Sequence, residues 1–101
     1  MKIRLLRRES NELRIEIEGE GHTFCNMLQK ALLEDETVEM AGYNIPHPLI
    51  TKSTIYVRTK GKRRPESALR DAARKLQETS GELRKALEKA FEEHNKLASS
   101  S

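Results

Sequence analysis

Apolar and charged residues alternate strictly near the start of the chain. Leu13, Ile15 and Ile17 are separated by Arg14, Glu16 and Glu18, and that period of two predicts a strand with one buried and one wet face. Residues 2–8, Lys-Ile-Arg-Leu-Leu-Arg-Arg, predict another short strand ahead of it. The polar Glu9-Ser10-Asn11-Glu12 between them predicts a hairpin turn. Gly19-Glu20-Gly21 ends the second strand, and Thr23 is placed to cap a helix with its hydroxyl. That helix is predicted over 24–33. Phe24, Met27, Leu28, Ala31 and Leu32 share one side of it at about 100° per residue, with Gln29 and Lys30 elsewhere. Leu33 points away from this stripe, so the helix meets apolar material on two sides.

Thr37 to Ile45 predicts a third strand, weakened by Ala41-Gly42. Pro46-His47-Pro48 cannot continue a ladder, because two of the three lack an N–H. Thr51 to Lys60, rich in Thr, Ile, Tyr and Val, predicts a fourth strand. A basic loop, Lys60-Gly61-Lys62-Arg63-Arg64, follows. Pro65 suits the first position of a helix and Glu66 its first turn. From there to about Lys96 the chain is rich in good helix formers. Leu69, Leu76, Leu83, Ala90 and Leu97 recur every seven residues, with Ala73, Ser80, Leu87 and His94 four behind, as in a coiled-coil seam with a weakened second row. Gly81 inside it costs roughly 1 kcal/mol relative to Ala. A helix of about 30 residues is roughly 45 Å long, whereas a domain of this length has a radius of gyration near 13 Å. The far end is therefore expected to project into solvent or lie on another chain. The predicted fold is α+β, in the order β-β-α-β-β-α: a small four-stranded antiparallel sheet with two helices, the C-terminal one long and partner-facing. It occupies residues 1–97, with a disordered tail over 98–101.

Composition strengthens the expectation of a partner. Of 101 residues only 36% are apolar, against roughly 45–50% in a typical domain, and aromatics are 4%. A self-sufficient core would be thin. The 19 Lys and Arg against 16 Asp and Glu leave a mild surplus of +3, which permits nucleic acid nearby without demanding it. There is no apolar run long enough for a membrane span. Met1-Lys2-Ile3-Arg4 leads straight into a strand pattern, and the single cysteine has no internal disulfide partner, so a cytoplasmic location is expected.

Two stretches carry a family resemblance. Gly19-Glu20-Gly21-His22-Thr23-Phe24-Cys25-Asn26-Met27-Leu28 resembles the GE-x-H-T-x-x-N-x-L signature of the archaeal RNA polymerase subunit L family. Ala41-Gly42-Tyr43-Asn44-Ile45-Pro46-His47-Pro48-Leu49 resembles its second signature, and Pro65-Glu66-Ser67-Ala68-Leu69 the start of its C-terminal helix. Cys25 stands where relatives often have Gly or Ala. The family includes the smaller α-like subunits of eukaryotic polymerases and shares its dimerisation fold with the bacterial α-subunit amino-terminal domain. The resemblance implies a non-catalytic assembly subunit of a nucleotidyltransferase complex. It implies a heterodimer with a larger α-like RNA polymerase partner, called D in archaea, whose helices share a core with this chain. Further polymerase subunits would join through that heterodimer, with DNA contacted only indirectly. Neither a cofactor nor a membrane is implied, and the isolated chain is expected to self-associate, for example as a homodimer.

Candidate interface residues are Phe24, Met27, Leu28, Ala31 and Leu32 on the first helix, and Leu69, Ala72, Ala73, Leu76, Leu83 and Leu87 on the second. Other chemistries are weaker. Gly19-x-Gly21 lacks the third glycine of a dinucleotide loop and the Gly-Lys-Thr or Gly-Lys-Ser ending of a phosphate loop. His22, His47 and His94 have no ligand-like spacing; His22 is expected to hydrogen-bond near the helix start and His47 to fix the Pro46–Pro48 turn. Cys25 near a helix start favours a thiolate, but a small buried residue is the commoner use of such a position. Lys60, Lys62, Arg63 and Arg64 could contact nucleic acid phosphate or an acidic subunit surface, and the alternative reading is a small basic nucleic-acid-binding module. No aromatic residue interleaves with them for base stacking.

Overall fold

Four strands hydrogen-bond into one antiparallel sheet in the computed structural model. It describes residues 2–46, 52–76 and 80–100, with the backbone alone for 80 and 97–100. The strands are β1 (Lys2–Glu9), β2 (Glu12–Glu18), β3 (Val38–Asn44) and β4 (Lys52–Thr59), ordered β1-β2-β4-β3. The helices are α1 (His22–Leu33), α2 (Pro65–Lys75) and α3 (Ser80–Ser100). The α+β class and the four-stranded antiparallel sheet are as the sequence implies; there are three helices rather than two.

Period two works as expected. Ile3 on β1, Leu13, Ile15 and Ile17 on β2, and Ile55 and Val57 on β4 are buried on one face. Arg4–Glu16 and Arg58–Glu12 ion pairs cross the opposite face. The register pairs Ile15 with Leu5 on one side and Ile55 on the other, so one apolar row runs across the sheet. Two irregularities interrupt this order, between Leu5 and Arg7 on β1 and between Val38 and Met40 on β3. Leu6 and Met40 sit at them and are exposed, at 42% and 52%, because a bulge re-aims side chains away from the alternating pattern.

All three helices cover the apolar face. α1 lies on β3, β4 and α2, while α3 lies on β1 and α2. The long C-terminal helix does not form. The chain leaves helical geometry at Leu76, with ψ 91°, and α3 returns across α2. Thr79-Ser80-Gly81 is the weakest helix-forming stretch of this region. Folding back buries Leu83, Leu87, Ala90 and Phe91, which a straight rod would leave in water at about 1.5–3 kcal/mol for each large side chain. Packing therefore outweighs continuity of the heptad repeat. The resulting radius of gyration is 12.8 Å. α3 stays helical to Ser100, where the sequence suggests a tail from 98 onwards.

Polar contacts fasten the layers. Arg8 on β1 donates to Glu66 on α2 at 2.9 Å. Ser53, fully buried, donates to the Glu20 carbonyl at 2.7 Å. Arg70 on α2 pairs with Glu88 on α3, one of its two contacts being 3.2 Å, and its guanidinium lies 5.2 Å from the Phe91 ring.

Candidate partner interface

Among the described residues, the large apolar side chains that the helices leave exposed are both on α1. It begins at His22, with Gly21 as N-cap in an extended conformation and its carbonyl accepting the Cys25 N–H at 3.1 Å. Thr23 is thus inside the helix rather than capping it. At about 100° per residue, Phe24, Cys25, Leu28, Ala31 and Leu32 fall within an arc of roughly 120°, and all five are buried. Met27 lies just beyond one edge of that arc and is 44% exposed; Leu33 lies opposite and is 52% exposed. Together with Asn26, Gln29, Lys30 and Glu34 they line an open groove of about 490 Å³. A Lys75–Glu34 ion pair of 3.8 Å ties its end to α2.

The other ten interface candidates are already covered by this chain. Phe24, Leu28, Ala31, Leu32, Leu69, Ala72, Ala73, Leu76, Leu83 and Leu87 are all buried in one core. The expectation that the leucines of the C-terminal segment need a neighbour rests on a continuous helix. Once α3 turns back, Leu83 and Leu87 are covered within the α2, α3 and β1 layer of the same molecule. Leu33, which the apolar stripe leaves out, contributes more free apolar surface than any of these ten.

The basic loop is half committed to structure. Arg63 pairs with Asp71 and lies 3.6 Å from Asp35, joining α2 to the connection after α1. Arg64 reaches Glu66 at 3.4 Å. Lys60 and Lys62 are exposed, with no carboxylate partner among the described residues. Gly61 at φ 56° makes the turn, and its carbonyl accepts the Asn11 amide at 2.6 Å. The loop is therefore held in place, and two of its four cations are exposed without a carboxylate partner among the described residues.

His22 and Cys25 have structural places. His22 Nδ1 lies 3.2 Å from the Tyr43 hydroxyl, with the rings in an edge arrangement at 5.7 Å; this fixes the start of α1 over β3. Cys25 is fully buried, and burial pushes its thiol up, away from a reactive thiolate. His94 is half-buried on α3, and His47 lies outside the described residues. Among the described residues no three His, Cys, Asp or Glu side chains are grouped to hold a metal. No helix among them is long and apolar enough to cross a membrane.

Known proteins agree with this geometry in fold and in sequence. A family model described as the RNA polymerase Rpb3/Rpb11 dimerisation domain matches residues 12–96. Subunit Rpo11 of the DNA-directed RNA polymerase of Thermococcus kodakarensis is 44% identical over 94 residues, covering 91% of this chain and all of that relative. The corresponding subunit of Pyrococcus furiosus is 41% identical over 92 residues, covering 89% of this chain and 97% of the relative. Among solved structures, DNA-directed RNA polymerase subunit L from Thermoplasma acidophilum is 32% identical with a TM-score of 0.67, over 94% of this chain and 93% of that one.

Proposed function

The chain belongs to the RNA polymerase Rpb3/Rpb11 dimerisation-domain family, and from that premise we propose that it is a non-catalytic assembly subunit of a multisubunit DNA-directed RNA polymerase. It pairs with the larger α-like subunit, called D in archaea, and the pair is the platform on which the large catalytic subunits assemble in the cytoplasm. The observation that carries this reading is the match of a dimerisation-domain model to residues 12–96, which take in α1, α2 and most of α3.

The flank of α1 with Met27 and Leu33 is the first surface the partner meets. Both side chains are half-exposed, so completing their burial yields at most about 1.5 kcal/mol each. Association costs about 4–15 kcal/mol before any surplus appears. Two side chains do not sustain a stable pair. The rest of the shared core comes from the ten covered positions, which the partner's helices reach if α3 leaves its seat on α2 and β1.

The test is co-expression with the larger α-like subunit, comparing the parent chain with Met27→Glu/Leu33→Glu. Both positions are exposed, so the variant keeps its fold while placing two charges in the proposed contact. Loss of co-purification with an unchanged unfolding midpoint supports the reading. Full recovery of the complex refutes the α1 assignment. Leu76→Glu is a poorer probe, because that side chain is in the chain's own core.

A further inference from the structure

The positive charge of this chain is not concentrated where its sequence suggests. Two of the four cations in the 60–64 loop are tied to carboxylates. The larger unneutralised group lies in a groove of about 610 Å³ between α2 and α3. Arg70 and Arg74 line it from α2, and Arg84, Lys85 and Lys89 from α3. Glu88 and Glu92 are the carboxylates on its wall. Among the described lining residues, five cations against two carboxylates leave a surplus of three. Arg70 is engaged by Glu88 and Arg74 by Asp71. Arg84, Lys85 and Lys89 are exposed and have no carboxylate within ion-pair distance among the described residues. Gly81 adds no side chain to the lining.

We propose that this α2–α3 groove is a docking surface for an acidic helix of a partner protein, separate from the α1 flank. Charge complementarity selects the acidic partner, and the sign pattern selects protein over nucleic acid. Along α3, Lys85, Glu88, Lys89 and Glu92 alternate in sign at helical spacing of three and four, which puts them on one face. A nucleic-acid backbone is uniformly negative and would meet Glu92. A helix can set its own carboxylates against Arg84, Lys85 and Lys89 and a cation against Glu92. Among the described residues no aromatic platform for stacking bases lines it. Exposed ion pairs are individually weak and screened by salt, so this is a weak contact of the free chain, made while α3 lies on α2.

The full chain, without any polymerase partner, is titrated by NMR with a synthetic 18-residue Ala/Glu helical peptide. Its Ala/Gln counterpart and an 18-nucleotide single-stranded DNA serve as comparison ligands. The expected result is peptide-induced shifts confined to α2 and α3, absent with the Gln peptide and suppressed by salt near 0.5 M, where the Debye length is about 4 Å. Arg84→Gln/Lys85→Gln/Lys89→Gln, at three exposed positions, is expected to weaken binding at least about tenfold, while Lys60→Gln/Lys62→Gln changes nothing. The proposal is overturned by absence of shifts at millimolar peptide, by equal binding of the triple variant, or by tighter binding of the DNA at the same residues. The measurement uses the lone chain, so its outcome is independent of whether the α1 pairing with the larger α-like polypeptide holds.

Discussion

Leu87 separates a C-terminal helix that covers its own domain from one that waits for a partner. In the folded chain Leu87 has no exposed surface, and neighbouring Leu83 has none either. Truncating Leu87 to Ala removes its transfer energy and leaves a void between α3 and the layer of α2 and β1. For a buried leucine this costs about 2–5 kcal/mol. In a domain of roughly 100 residues each kcal/mol is worth about 4–8 °C, so even the lower limit lowers the midpoint by about 8 °C or more. Had α3 projected into solvent, the same change would fall within about 0.5 kcal/mol. The assay is urea unfolding of Leu83→Ala and Leu87→Ala, with stability taken from midpoint and slope. Self-association could also bury these leucines, so the titration is repeated over roughly a hundredfold range of protein concentration. A loss of about 2 kcal/mol or more that does not change with concentration is expected for both. A loss under about 0.5 kcal/mol at both positions refutes the folded-back packing, and a loss that shrinks with dilution assigns the burial to a dimer.

Other outcomes follow from individual contacts. Hydrogen bonds from the Thr37 hydroxyl and amide hold Asp35 below the ordinary carboxylate range; for Glu66 burial acts upward, but Arg8, its own backbone N–H and Arg64 outweigh it. Both carboxylates thus contribute stability that is present above their unfolded pKa values, near 4, and lost as pH falls through the lower folded values. Asp35→Asn/Glu66→Gln is expected to be less stable than the parent at pH 7 and to converge with it near pH 2; parallel curves through the acid range would contradict this. Cys25 is expected to react with a thiol reagent only as fast as the protein unfolds, and prompt labelling in native buffer would show that the site opens locally. Gly19 sits at φ 95° with open space around it, so Gly19→Ala is expected to cost about 1 kcal/mol from backbone strain alone; no change in the urea midpoint would refute that origin.

The sheet was legible because each strand carries its own evidence. Leu13, Ile15 and Ile17 alternate, and all four strand spans lie within a residue or two of those the pattern predicts. The start of α1 was displaced because a hydroxyl at Thr23 is a stronger local signal than Gly21, yet Gly21 holds the capping position. The turn of α3 onto α2 was hidden because Leu69, Leu76, Leu83 and Ala90 keep their spacing through the break. A seven-residue repeat records which residues seek cover, but not whether the cover comes from the same chain. The ion pairs of Arg63 were hidden for a related reason: Asp35 and Asp71 lie on other elements, and only the fold brings both to it. The cations of α3 are masked in the sequence by the glutamates that alternate with them, and only the packing of α2 beside α3 gathers five cations around one groove. The family signatures carried the functional reading across these errors, since they depend on residue identity at 19–28 and 41–49 rather than on how the last helix runs.

Sedimentation velocity of this chain mixed with the larger α-like subunit of the same polymerase bears most directly on its role as one half of an assembly platform. A single boundary at the mass of a one-to-one pair, persisting on dilution to low micromolar concentration, is the predicted result. Two independent boundaries at the masses of the separate polypeptides, at every concentration tried, would contradict it.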